Sequence, residues 1–160
     1  MARSETKIRD GAAPFLEAGE NVLAAFVARP RGWTQATAAP ASGVDGGDLI
    51  GAFGESKQER NIDAAKGAGF PLANPMALAI TQRRLLSFAI SNPIGFGIAV
   101  KVKELVGAVP LRSVDAIEVK RLALGKIVNV TVDGVPFSLE AGAGANAGGV
   151  AEALERAREP

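Results

Sequence analysis

The chain has 160 residues, 48% of them hydrophobic and 22% charged, which suits one packed core and excludes a disordered or fibrous class. Eighteen Lys and Arg against 17 Asp and Glu leave a net charge of +1, without the basic excess of a dedicated nucleic-acid binder, so no nucleic-acid partner is expected. Cysteine and histidine are both missing, which removes thiol nucleophiles, disulfides, thiolate and imidazole metal ligands, and the side chain most used for proton transfer near neutral pH. The expectation is a protein without catalytic residues, cofactor or metal.

The first ten residues are charged and lack the apolar stretch of a secretion signal, from which a cytoplasmic location is expected. Ile8, Ala12, Phe15 and Leu16 share one helical face, interrupted by Gly11 and Pro14, which predicts a short or broken amphipathic helix with a packing role. The apolar run from Asn21 to Arg29 is too short for a surface helix and is bounded by Pro30 and Gly32, which predicts a strand, with Arg31 and Trp33 in or just after a turn. Residues 35–47 are small and rich in Pro and Gly, the composition of a loop. Asp48 can cap a helix in which Leu49 and Phe53 share a face and Glu55 to Asn61 form an exposed surface as far as Gly67 or Gly69.

From Pro75 the hydrophobic period changes. Met76–Thr81 and Arg84–Ser91, joined at Gln82-Arg83, predict an antiparallel hairpin. The uncharged stretch from Leu85 to Val100 is shorter than the ~20 residues of a membrane-spanning helix and is broken by Pro93, Gly95 and Gly97, so it reads as a strand plus a loop. Glu104–Pro110 predicts the next strand, and Val114, Ile117 and Val119 another, running to about Leu122. Alternation over 127–132, then Asp133-Gly134, then Val135–Glu140 gives the strongest short hairpin signal in the chain. Asn146 can cap a final helix whose Val150 and Leu154 face inward. About seven strands at hairpin spacing followed by a helix predict a mainly β fold, a bent antiparallel sheet or partly open barrel with one end covered by the C-terminal helix.

The segments Pro75-Met-Ala-Leu-Ala-Ile-Thr-Gln-Arg-Arg-Leu-Leu-Ser-Phe88 and Gly107-Ala-Val-Pro-Leu-Arg-Ser-Val-Asp-Ala-Ile-Glu-Val-Lys120 resemble the bacterial pleckstrin-homology-like (PH-like) family. Its pattern has a strand ending in Leu-Thr-Asx-Arg-Arg-Leu and, later, a Pro-Leu-x-x-Val/Ile segment leading into the next strand; Gln82 departs from the usual Asx, which puts the turn chemistry in question. The likeness covers residues 70–158 well and 14–30 loosely. It implies a seven-stranded partly open barrel capped by a helix, a single domain over 1–160 with a core of about 15–30 and 70–158, and a helical or loop insert of about 31–69. Relatives serve as platforms for lipids, peptides or self-association, and the pattern carries no catalytic residues.

Phosphoinositide-binding relatives place Lys and Arg in the first strand-to-strand loop, where this chain offers Arg29, Arg31 and Trp33. The tip Asn92-Pro-Ile-Gly-Phe-Gly97 carries Ile94 and Phe96 beside Lys101 and Lys103, a combination suited to a membrane surface or a protein partner. Arg83 and Arg84 are expected to pair with carboxylates such as Asp115 or Glu118, and Lys120, Arg121 and Lys126 to form a solvated face. Gly142–Gly149 has the wrong spacing for a dinucleotide loop, and Asp45, Asp48, Glu55 and Glu59 have no calcium-loop spacing. The function expected is a non-catalytic interaction module that binds another protein or its own copies, with a peripheral role at the anionic inner membrane surface as the alternative.

Overall fold

A computed structural model of the chain describes residues 3–32, 59–91 and 100–158. The elements are helix α1 (Arg3–Ala12), strand β1 (Val22–Pro30), a helix α2 over 59–67, strands β2 (Met76–Thr81), β3 (Arg84–Ser91), β4 (Lys101–Pro110), β5 (Val114–Leu122), β6 (Gly125–Val132) and β7 (Val135–Ala141), and helix α3 (Ala147–Arg158). Both expected hairpins and the capped terminal helix are present. The loop expected at 35–47 and the helix start at Asp48 lie outside the described residues.

The strands form one antiparallel sheet in the order β4-β3-β2-β1-β7-β6-β5. It is open: β4 and β5 are its edges. The sheet nevertheless curls on itself, because a single hydrophobic cluster joins Phe26, Leu78, Ile80 and Leu85 from one half to Val114, Ile117, Val130 and Leu139 from the other. Val150 and Leu154 of α3 and Ala65 of α2 fill the same cluster, and Phe70 stacks on Phe137 with ring centroids 5.9 Å apart.

A second cluster lies on the outer face of β1–β4, under α1, and includes Ile8, Ala12, Ala25, Ala77, Ala79, Leu86 and Phe88. This explains why all six residues of β2 are buried: the strand is covered on both faces, so the usual alternation of buried and exposed positions disappears. Size alternates instead. Met76, Leu78 and Ile80 point into the barrel, whereas Ala77 and Ala79 belong to the outer cluster with Ile8 and Ala12 of α1, and the helix itself comes nearest to β1 and β4.

Gly11 belongs to the same close approach. A Cβ at this position would sit 2.7 Å from both Cβ and Cγ2 of Val102 in β4. In the other half of the sheet, Asp133 and Gly134 take φ of 47° and 81°, the paired left-handed conformation of a two-residue hairpin turn. The Gly134 N–H donates to Asp115 Oδ2 at 2.7 Å, and the Asp133 N–H to the Ser113 carbonyl at 2.8 Å.

Helix propensity alone favours Gly11→Ala by about 1 kcal/mol. The contact with Val102 reverses the sign: overpacking of this kind costs about 1–3 kcal/mol, so Gly11→Ala is expected to lower the urea midpoint. Val102→Ala in the same chain should recover most of the loss, which a double-mutant cycle measures directly; equal losses with and without Val102 would disprove the close approach.

Candidate functional site

β1 pairs with β2 from Val22 to Ala28 but with β7 only from Ala28 to Pro30. The first six residues of β1 therefore have a sheet edge that no strand covers, and side chains of α1 bind it. The Ala25 N–H donates to Glu5 Oε2 at 3.1 Å. Arg9 donates to the Leu23 carbonyl at 2.8 Å and also to the Val22 carbonyl, where the β1–β2 register slips. Glu5 and Arg9 stand one helical turn apart with charged atoms 3.6 Å from each other, so one ion pair presents both the acceptor and the donor that a neighbouring strand would have supplied. Glu5 also accepts from Asn146 Nδ2 at 2.7 Å, and Asn146 Oδ1 in turn caps α3 by accepting the Gly149 N–H at 3.2 Å.

Between this part of β1 and α3 lies a groove of about 690 Å³. Leu23, Ala24, Ala153 and Ala157 line it with apolar groups, and Gln82, Asn146, Glu152 and Arg156 with polar ones. Leu23 is 44% exposed. Glu152 and Arg156 pair across one turn of α3 at 3.3 Å.

A second polar cluster holds the β2–β3 hairpin to the segment after α1. Arg84 grips Glu20 with two bonds, Nε to Oε2 at 2.9 Å and Nη2 to Oε1 at 2.6 Å. Thr81 Oγ1 donates to the same carboxylate at 2.7 Å, as does the Glu17 N–H at 3.0 Å. The side chain of Glu20 is fully buried. Its bond with Arg84 outweighs the opposing effect of burial and holds its carboxyl at about 2, below the ordinary 4.5. The Arg84 guanidinium is shifted upward by the same bond. Arg83 pairs with Glu17 at 3.2 Å. The expected partners Asp115 and Glu118 are replaced because β5 lies at the far edge of the sheet from β3; Asp115 serves the Asp133-Gly134 turn instead.

Gln82 gives the turn its own chemistry. Its amide donates to the Gly19 carbonyl at 2.6 Å and accepts the Asn21 N–H at 2.9 Å, while Thr81 Oγ1 accepts the N–H groups of Arg83 and Arg84 at 3.0 and 2.9 Å. The longer glutamine thus reaches across to the preceding segment, while the threonine hydroxyl takes the local turn role open to a short polar side chain.

Arg29 and Arg31 lie at the end of β1, with Arg29 opposite Glu140 in register and donating to Asn74 Oδ1 at 3.3 Å. Desolvation by burial lowers the proton affinity of the Arg29 guanidinium. The Arg31 carbonyl accepts from Asn61 Nδ2 at 3.3 Å, and Asn61 Oδ1 accepts the Ser138 N–H at 2.8 Å, so α2 is tied to both β1 and β7. Lys101 and Lys103 are exposed on edge strand β4. Trp33, Ile94 and Phe96 lie outside the described residues. The register Ala28–Met76–Ala89–Glu104 places Arg29, Arg31, Lys101 and Lys103 at the same end of the sheet, with three strand spacings, roughly 14 Å, between β1 and β4.

Among the described residues, no group of three or more acidic residues could hold a metal ion, and no helix is long and apolar enough to cross a membrane. No family model and no curated protein matches the chain. Solved structures do, among them two bacterial proteins with pleckstrin-homology domains. One is a DUF1696 family protein from Shewanella loihica PV-4, 12% identical, with 94% of this chain and 93% of that chain covered and a TM-score of 0.42. The other is a pleckstrin homology domain from Shewanella amazonensis SB2B, 11% identical, with 94% of each chain covered and a TM-score of 0.45.

Two outcomes follow from the buried carboxylates. Because the Glu20 pKa in the fold lies below its unfolded value, its stabilisation is complete above about 4.5 and is lost as pH falls toward 2. Urea titrations should show about 2 kcal/mol less stability near pH 3 than at pH 7 from this group, and Glu20→Gln should abolish that component; an unchanged pH slope in the variant would refute the assignment. Glu5→Ala strands the Ala25 N–H and should cost about 2 kcal/mol, whereas Glu5→Gln, which keeps an acceptor oxygen, should cost less.

Proposed function

We propose that the chain is a non-catalytic interaction module that binds another protein or a second copy of itself through the groove between β1 and α3. The observation that carries this reading is the exposed Leu23 in a groove lined by both apolar and polar side chains. Docking surfaces combine apolar and polar groups, and beside Leu23 the groove suits an apolar side chain presented by a partner.

The chemistry of the carboxylates supports the non-catalytic part. Glu20 is ionised throughout the neutral range and has its oxygens occupied by four donors, so it has no proton to transfer. Histidine and cysteine, the side chains that most often move protons or attack substrates near neutral pH, do not occur in the sequence. The expected action is therefore recognition, and the reading places it in the cytoplasm.

A chain without native cysteine allows a direct test: Ala157→Cys, on the groove wall, gives a unique site for a photocrosslinker. The expected result is a defined crosslinked species, either a dimer of the chain or a complex with one cytosolic protein, that disappears with Leu23→Glu while the melting temperature is unchanged. Crosslinking that is insensitive to Leu23→Glu, or none to either kind of partner, would overturn the reading.

A further inference from the structure

The β5–β6 hairpin ends in a two-residue turn, with Leu122 paired to Gly125 in register. Leu122 is 57% exposed and Leu124 94% exposed, and with Leu23 they are the exposed large hydrophobics among the described residues. Residues 119–127 contain Lys120, Arg121 and Lys126 and no carboxylate. Lys120 and Arg121 are exposed and have no ion pair among the described residues, whereas Lys126 donates to the Ala145 carbonyl at 2.6 Å. The nearest carboxylate along β5, Glu118, is four residues from Leu122, about 13 Å along the strand; across the sheet, Glu140 stands opposite Ile127.

We propose that this hairpin tip is a membrane-surface anchor, with Leu122 and Leu124 entering the headgroup boundary of an anionic bilayer and Lys120 and Arg121 resting on its phosphates. The shape selects the partner. A two-residue turn is a narrow convex wedge, which a fluid lipid surface accepts without a matching pocket. Charge selects the lipid: apolar side chains flanked by unpaired cations suit a negatively charged surface. The tip is separate from the region of Arg29, Arg31, Lys101 and Lys103. Along the register Ala28–Ala141–Lys126–Arg121 it lies beyond the Ala28 row, toward the start of β1 rather than toward Pro30.

The test is co-sedimentation of the full chain with vesicles of phosphatidylcholine alone and of phosphatidylcholine with phosphatidylglycerol, at low and raised salt. Binding is expected to the anionic vesicles only and to weaken with salt. Leu122→Ser/Leu124→Ser and Lys120→Glu/Arg121→Glu should each reduce it about tenfold or more, with far-UV circular dichroism unchanged. As a second readout that leaves the cations in place, a tryptophan introduced by Leu124→Trp should shift its emission to the blue on anionic vesicles relative to the parent chain. No binding to anionic vesicles, binding retained by either double variant, or no emission shift would each overturn the proposal. Because neither double variant touches the β1–α3 groove, failure here leaves the protein-binding reading standing.

Discussion

Main-chain donors and acceptors removed from water must find partners, and β1 is where this requirement is hardest to meet. The strand is shared by the two halves of the curled sheet, yet β7 accompanies it for only three residues. On the remaining edge Glu5 and Arg9 take up the Ala25 N–H and the Leu23 and Val22 carbonyls, so α1 is held in place by hydrogen bonds of fixed direction as well as by the apolar layer beneath it. Much else follows from that placement. The glycine at position 11 is where it is because the helix whose side chains reach the backbone of β1 also lies close against Val102 of β4.

The second buried carboxylate solves a related problem in another way. Glu20 substitutes for no strand; it gathers Arg84, Thr81 and the Glu17 amide at the point where the chain leaves α1 and enters β1. Although the pair favours the ionised over the protonated carboxyl, it is weak evidence for stability beyond what well-packed apolar residues of the same volume would give. Its effect is on geometry: bidentate contact fixes the hairpin relative to the entry of β1, and with it one end of the groove that Gln82 helps to line.

Strands and hairpins were legible because their signals are local. Asp133-Gly134 marks a primed turn by residue type alone, and Asn146 marks a helix start for the same reason. Arg83 and Arg84 were recognised as structural, but their partners were not, because pairing with Glu17 and Glu20 depends on how the segment after α1 passes under the hairpin, which no short-range pattern encodes. The groove was illegible for a related reason: Leu23 reads as an ordinary apolar strand residue until β7 is seen to stop short of it. Leu122 and Leu124 carried a usable signal, two leucines with only Ala123 between them at a predicted turn, but the flanking cations made the segment look like an ordinary solvated face.

The link from Glu5 to Asn146 joins residues 141 positions apart, and it has a consequence for the order of events during synthesis. The edge of β1 and the start of α3 are completed by the same carboxylate, so the half of the sheet made first does not reach its final set of contacts until α3 has been made as well. Until then the β1 edge is held only by the contacts α1 makes without the last helix. The edge of β1 and the start of α3, far apart in sequence, therefore become secure together.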